Sequence, residues 1–349
     1  MDIRVGIQSR TIFTAVILGF ASPCFGASAD ANAAPQIKVE PGTGVFLAYG
    51  DIRYTDPAKC NVSDPNARQA LVNQIVASED KPDFVVMTGD IVYHGDDDND
   101  WHVFEKETKS LRDYKIRLFP VLGNHDVHGS AGRSNFVDHF DELKGYPQLK
   151  KTGWYSIDYE NSHFIMLDSQ SPYEPQTAQG DWLESQLKGV TEDLDFLIVV
   201  LHHPLVTHAS RAVVWVHCPG QAPIPAAGHD VEDAEQSLKI SLEKFAKGHA
   251  RTKILVLSGH NHNYEHYAEH GISYVVTAGG GATPYHINRK PIDFYHETGP
   301  TFHYCRIKID GHTLKLDMFK LNRAVPDKPK WEIRDSLEMH TKEIRPPSP

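Results

Sequence analysis

The sequence predicts a layered α/β fold. Short runs rich in Val, Ile and Phe recur along the chain, amphipathic stretches of helix length separate them, and nearly every run stops at a glycine or polar residue that marks a turn. The strand-length runs are Val45 to Tyr49, Phe84 to Thr88, Leu118 to Leu122, Phe164 to Leu167, Phe196 to Leu201, Ile254 to Ser258 and Tyr274 to Thr277. Asp64-Pro65 starts a helix between the first two, a capping side chain followed by proline at the first helical position, with Leu71, Val72, Ile75 and Val76 on one face. The same periodicity places helices around Asp100 to Asp113, Ser134 to Leu143, Gly180 to Leu187 and Glu235 to Lys247. Phe302 to Ile309 and Thr313 to Phe319, joined by Asp310-Gly311, carry a hairpin signal. With no internal repeat and no break in composition, one domain over residues 36–330 is expected, followed by a loose tail over residues 331–349.

A chain of 349 residues, 40% of them hydrophobic, can bury a large core. Its formal net charge of -11 and pI near 6.0 exclude a general nucleic-acid binder, since no basic field exists to gather phosphate backbones. The first 29 residues have the parts of a secretory signal: Arg4 and Arg10, an apolar stretch from Thr11 to Ala21, and small residues ending at Ala27-Ser28-Ala29. The apolar stretch falls short of the ~20 residues that span a bilayer, so a periplasmic or secreted protein without stable membrane insertion is expected. An oxidising compartment permits a disulfide among Cys60, Cys218 and Cys305. Cys60 and Cys218, both in turn-rich loops, are the candidate pair; three unpaired thiols are the alternative.

Chemistry enters where the strands end. In order, the apolar runs pass into Gly50-Asp51-Ile52-Arg53, Gly89-Asp90-Ile91-Val92-Tyr93, Gly123-Asn124-His125-Asp126, Leu201-His202-His203-Pro204 and Gly259-His260-Asn261-His262. Open α/β sheets bind ligands at those carboxyl ends. A single Gly-Asp pair is most often a turn, but five polar clusters in succession, mixing carboxylates, an amide and imidazoles, are the donor set of a transition-metal site.

Together these blocks resemble the calcineurin-like metallophosphoesterase superfamily and, within it, the purple acid phosphatases, whose Gly-Asp-x-x-Tyr, Gly-Asn-His-Asp, Val-x-x-His and Gly-His-x-His patterns stand here at Asp90, Asn124, His202 and His260. The resemblance implies a four-layer α/β/β/α sandwich. It implies two metal ions, with Asp51, Tyr93 and His262 holding one, Asn124, His202 and His260 the other, and Asp90 bridging. A phenolate from Tyr93 favours Fe(III) at the first site; Fe(II), Zn(II) or Mn(II) would occupy the second. The activity implied is hydrolysis of small phosphate monoesters, in the manner of an acid phosphatase, by a hydroxide bridging the ions. A phosphodiesterase or nucleotide phosphohydrolase on the same core is one alternative, and a non-catalytic metal- or phosphate-binding protein another.

His125 is the candidate general acid, with Asp126 orienting it, and His203 is expected beside the cleft on the side opposite His202. Arg53 departs from the family pattern, which has glycine or histidine there. It is entered with His203 as a substrate-binding candidate, a fork for phosphate; the alternatives are an arginine that fills the space beside the first ion and a solvated surface residue. Asp96, Asp97 and Asp98 are read as a solvated loop, His94 and His128 as cleft neighbours, and His229, His249 and His270 as surface residues.

Overall fold

Strands buried on both faces form the centre of the molecule. The computed structural model describes residues 34–58, 60, 62–216, 218, 220, 222–322 and 330–342; the expected signal segment lies outside them. In chain order the strands are β1 (Gln36–Lys38), β2 (Val45–Tyr49), β3 (Phe84–Met87), β4 (Arg117–Pro120), β5 (Tyr155–Tyr159), β6 (Ser162–Met166), β7 (Phe196–Val200), β8 (Val214–Val216), β9 (Ile224–Ala226), β10 (Lys253–Ser258), β11 (Tyr264–Glu269), β12 (Ile272–Thr277), β13 (His303–Asp310), β14 (Thr313–Asn322) and β15 (Lys330–His340). The helices are α1 (Pro65–Ala77), α2 (Asp98–Asp113), α3 (Gly132–Asp138), α4 (Ala178–Gly189) and α5 (Asp233–Gly248). One sheet runs β1-β5-β6-β7-β10-β12-β11, the other β15-β14-β13-β2-β3-β4, and β8 and β9 pair as a separate ribbon.

Side-chain alternation shows how the layers stack. Along β7, Phe196, Ile198 and Val200 enter the large central core with Phe46, Phe84 and Val86 of the other sheet. Leu197, Val199 and Leu201 enter a second core with Leu183 of α4 and Leu238, Leu242 and Phe245 of α5. A strand buried on both faces reads as an unbroken apolar run, which is why these strands were legible. Phe46, Phe84 and Phe164 meet across the sheet interface with ring centroids 5.1–5.7 Å apart. On the far side of the six-stranded sheet, Leu71, Val72 and Ile75 of α1 and Trp101 and Phe104 of α2 complete the central core. The result is the four-layer α/β/β/α sandwich.

Local chemistry sets the element ends. The Asp64 carboxylate accepts from the N–H groups of Asn66 and Ala67, satisfying two donors of the first turn of α1, and Pro65 needs no partner there. β13 and β14 pair antiparallel out to Asp310 and Thr313, and Gly311 takes the left-handed conformation their two-residue turn requires. The expected loose tail is corrected in part: residues 330–340 form β15, paired along β14 with a bulge after Met318. It is an edge strand, so most of its side chains face solvent; Met339 enters the central core and Trp331 and Leu337 pack against it, which kept its hydropathy low.

Candidate metal centre

All five polar clusters fall at the carboxyl ends of parallel strands. Asp51, Asp90 and Asn124 follow β2, β3 and β4 of one sheet, and His202 and His260 follow β7 and β10 of the other. Because the sheets pack face to face, the clusters converge. Four of the residues that converge, Asp51, Arg53, Asp90 and His260, have φ between 52° and 70°. Left-handed backbone at a residue carrying a β-carbon is strained by about 1–3 kcal/mol and tends to gather at functional sites. Glycine permits the close approach: a β-carbon on Gly123 would lie 2.3 Å from Asp90 Oδ1, and one on Gly259 2.5 Å from Asp51 Oδ2.

One half of the site brings the ligand atoms of four residues face to face. His202 Nδ1 lies 2.8 Å from the carbonyl of Thr88, which can only accept, so the proton is on Nδ1 and the Nε2 lone pair is free. That Nε2 lies 3.1 Å from Asn124 Oδ1, 3.2 Å from His260 Nδ1 and 3.4 Å from Asp90 Oδ1. His260 Nδ1 is also 3.1 Å from Asn124 Oδ1. Burial lowers the pKa of both imidazoles, His260 further through its neighbours His202 and His203. Ligands about 2.0–2.1 Å from a tetrahedral ion stand roughly 3.3 Å apart. The four separations given are close to that spacing.

The other half has the donors but a different cation. His262 Nδ1 donates to the carbonyl of Thr283 at 2.8 Å, leaving a buried Nε2 with no hydrogen-bond partner among the described residues, 3.5 Å from Asp51 Oδ1. Both Asp51 oxygens accept from the His260 N–H at 3.0–3.1 Å, tying the two sheets together. Asp90 Oδ1 accepts from the His125 N–H at 3.0 Å, while Oδ2 accepts from Arg53 Nη2 at 2.9 Å and Nε at 3.2 Å. Burial opposes ionisation of Asp90, but His202, His125 and Arg53 outweigh it and hold the pKa well below the usual range. Asp51 goes the other way, raised by burial and by the charge of Asp90. Donors for a first ion are present, yet the positive charge beside them is the guanidinium. Arg53 is thus neither a solvated residue nor an outward fork; it is buried and turned onto Asp90.

The neighbouring residues are placed differently from expectation in several respects. His125 Nδ1 donates to the Tyr93 carbonyl at 2.7 Å, and the two rings stack with centroids 5.1 Å apart. Tyr93 thereby orients His125, while its ring packs against Cys60, Val62, Val216 and Cys218. Cys60 and Cys218 are disulfide-bonded and Cys305 is a buried free thiol. Asp126 does not reach the His125 ring; its carboxyl accepts the N–H groups of Ile91, Val92 and Gly123 at 2.8–3.2 Å, bracing two site loops. His203 lies on the same side as His202, with its ring 4.3 Å from that of His260, because β7 ends at Val200 and strand alternation no longer applies. Burial, then the neighbouring His202, push its pKa down to about 3.

Two residues were missed. His229, expected at the surface, has its ring centroid 4.9 Å from that of His260, because buried Asn261 bonds both its N–H and its carbonyl at 2.9–3.0 Å. Tyr285 stacks on His262 at 4.0 Å, and burial raises the pKa of its hydroxyl while the charge of Arg53 opposes the rise. Neither belongs to a strand-end block, so no pattern marked them. His94 and His128 lie together beside Tyr93, ring centroids 5.2 Å apart.

Fold and donors define an α/β/β/α domain with a candidate metal centre. The chain belongs to the calcineurin-like phosphoesterase family, whose model matches residues 44–264, more than half of its length. It is 28% identical to the phosphoenolpyruvate phosphatase of Allium cepa over 49% of this chain and 31% of that protein. It is 24% identical to the Fe(3+)-Zn(2+) purple acid phosphatase 12 of Arabidopsis thaliana over 52% of this chain and 36% of that protein. The chain therefore spans about a third of the length of these curated relatives. Among solved structures it superposes on purple acid phosphatase PPD1 of yellow lupin with a TM-score of 0.58 at 18% identity, covering 85% of this chain and 53% of that one. It superposes on GAP50, the anchor in the inner membrane complex of Plasmodium, with a TM-score of 0.55 at 16% identity, covering 86% and 89% of the two chains.

Proposed function

We propose that the chain is a metal-dependent phosphatase acting on small phosphate monoesters, secreted or periplasmic. The observation that carries this reading is the gathering of Asn124 Oδ1, His260 Nδ1 and Asp90 Oδ1 within 3.1–3.4 Å of the unprotonated His202 Nε2. These four residues hold one ion, and Asp51, Tyr93 and His262 are the assigned ligands of the other, with Fe(III) there and Fe(II), Zn(II) or Mn(II) at the imidazole half. Bound ions supply Lewis acidity for the phosphate oxygens and a nucleophilic water near neutral pH.

The chain's own residues do the rest. Asp90 and Asn124 fix the imidazole half relative to the six-stranded sheet. His125, held through Nδ1 by the Tyr93 carbonyl, presents Nε2 toward the site 4.0 Å from Asp90 Oδ2. Burial, then the charge of Arg53, lowers its pKa to about 4 in the free protein. A phosphate dianion beside it favours the protonated ring, which then donates to the leaving oxygen. His203 and His229 line the imidazole side as donors to phosphate oxygens. The experiment is phosphatase assay of metal-replete protein across pH 4 to 8 with an aryl phosphate and a bis-aryl phosphate. Turnover of the monoester supports the reading, faster turnover of the diester replaces it with a phosphodiesterase, and no turnover of either refutes it.

A further inference from the structure

Resting on the reading that this site binds metal ions, we propose that Arg53 is a built-in cation of its first half. Its guanidinium holds the face of Asp90 that a first ion needs. The chain therefore takes up one ion tightly at the imidazole half and admits a second only by displacing the arginine.

The stem of Arg53 is fixed at both ends of its peptide unit. Its N–H donates to the carbonyl of Asp90 at 3.0 Å, and its carbonyl accepts from the Ser63 hydroxyl at 2.9 Å. With φ at 52°, this residue holds a conformation that glycine adopts freely and an arginine adopts only under constraint. From that stem the side chain, 9% exposed, runs inward to Asp90 Oδ2, using both Nε and Nη2.

Charge explains why it stays there. Asp51 and Asp90 are both wholly buried, and two carboxylates in one enclosed site need a positive charge between them. Arginine cannot release its proton and its fork matches a carboxylate edge. Asp90 is therefore divided, Oδ1 toward the imidazole half and Oδ2 toward the guanidinium. An ion bound by Asp90 Oδ1, Asn124, His202 and His260 meets no such competitor. An ion bound by Asp51, His262 and Asp90 Oδ2 does, and its apparent affinity falls by the fraction of molecules in which the guanidinium has left.

The test is zinc stoichiometry of metal-stripped full chain, by calorimetric titration and by elemental analysis after gel filtration in micromolar free Zn(II). Wild type is expected to retain one zinc per chain, and Arg53→Gly two, with the second equivalent bound on the order of 100-fold more tightly than in wild type. His202→Ala abolishes the single tight equivalent and His262→Ala leaves it in place, which keeps the test decisive if Arg53→Gly does not fold. Two tight equivalents in wild type, no gain in Arg53→Gly, or loss of the tight equivalent in His262→Ala overturns the role of Arg53 while leaving a metal centre. No tight equivalent in wild type overturns the metal centre itself.

Discussion

Arg68 offers a quantitative test of how the loop carrying Asp51 and Arg53 is held. Its side chain is fully buried, forks onto Glu107 with Nε at 3.0 Å and Nη2 at 2.8 Å, donates to Ser63 Oγ, and lies 5.3 Å from the Tyr54 ring centroid. Removing one partner of a buried pair costs about 3–5 kcal/mol, because the other charge is left without its counterion. Glu107 is 19% exposed at its side chain and recovers some hydration, which places the cost of Arg68→Met near 3 kcal/mol. Methionine keeps most of the apolar stem, so the loss reports the charge and its hydrogen bonds rather than a cavity. Urea unfolding followed by circular dichroism measures it, and Arg68→Met combined with Glu107→Gln should recover roughly 1–2 kcal/mol, since no unpaired charge remains. A loss below about 1 kcal/mol in the single variant would refute the view that this pair anchors the loop.

Other outcomes follow from the same geometry. His125→Asn should lower kcat about 10²–10⁴-fold for an alkyl phosphate and far less for 4-nitrophenyl phosphate, whose leaving group needs no proton, as steady-state assays of both substrates would show. Asp126→Ala leaves three buried N–H groups without an acceptor at about 1–3 kcal/mol each, a large share of the roughly 5–15 kcal/mol that holds a domain, so soluble yield and thermal midpoint should both fall. Burial pushes the His303 imidazole down to about 4 from 6.5, so the unfolded chain binds more protons between those values. The stability this neutral ring confers is complete above pH 6.5 and lost as pH falls toward 4, about 3 kcal/mol in all, and His303→Gln should flatten that part of the stability–pH curve. Joining residues 158 apart in sequence, the Cys60–Cys218 bridge restricts the unfolded chain, and replacing both cysteines with serine should lower stability by about 2–5 kcal/mol in denaturant titration.

What the sequence disclosed and what it withheld divide along a physical line. β2, β3, β7 and β10 were legible because burial on both faces demands apolar residues at every position. β15 was not, because an edge strand keeps its charges. The donor residues were visible as polar side chains placed where an apolar strand stops. The direction of the Arg53 side chain was not, since residue type leaves inward and outward conformers equally open and buried Asp51 and Asp90 decide between them. His229 was invisible for another reason: what brings it to the site is the side chain of Asn261, 32 residues away. Asp126 was assigned to His125 by adjacency, whereas its carboxyl is taken up by backbone donors from its own loop and from the loop after β3.

The parallel pairing of β7 with β10 sets Val200 opposite Leu257, and from that register the chain runs on to His202 and His260. The spacing of the imidazole pair is therefore a property of how two strands are aligned rather than of either loop. Sliding β10 by one residue would exchange its two buried faces, turning Leu255 and Leu257 away from the central core and carrying His260 out of reach of Asn124. Core packing thus acts as the gauge of the metal site. Substitutions in the middle of β7 or β10, far from any donor atom, should be felt first as a change in which ion the centre prefers.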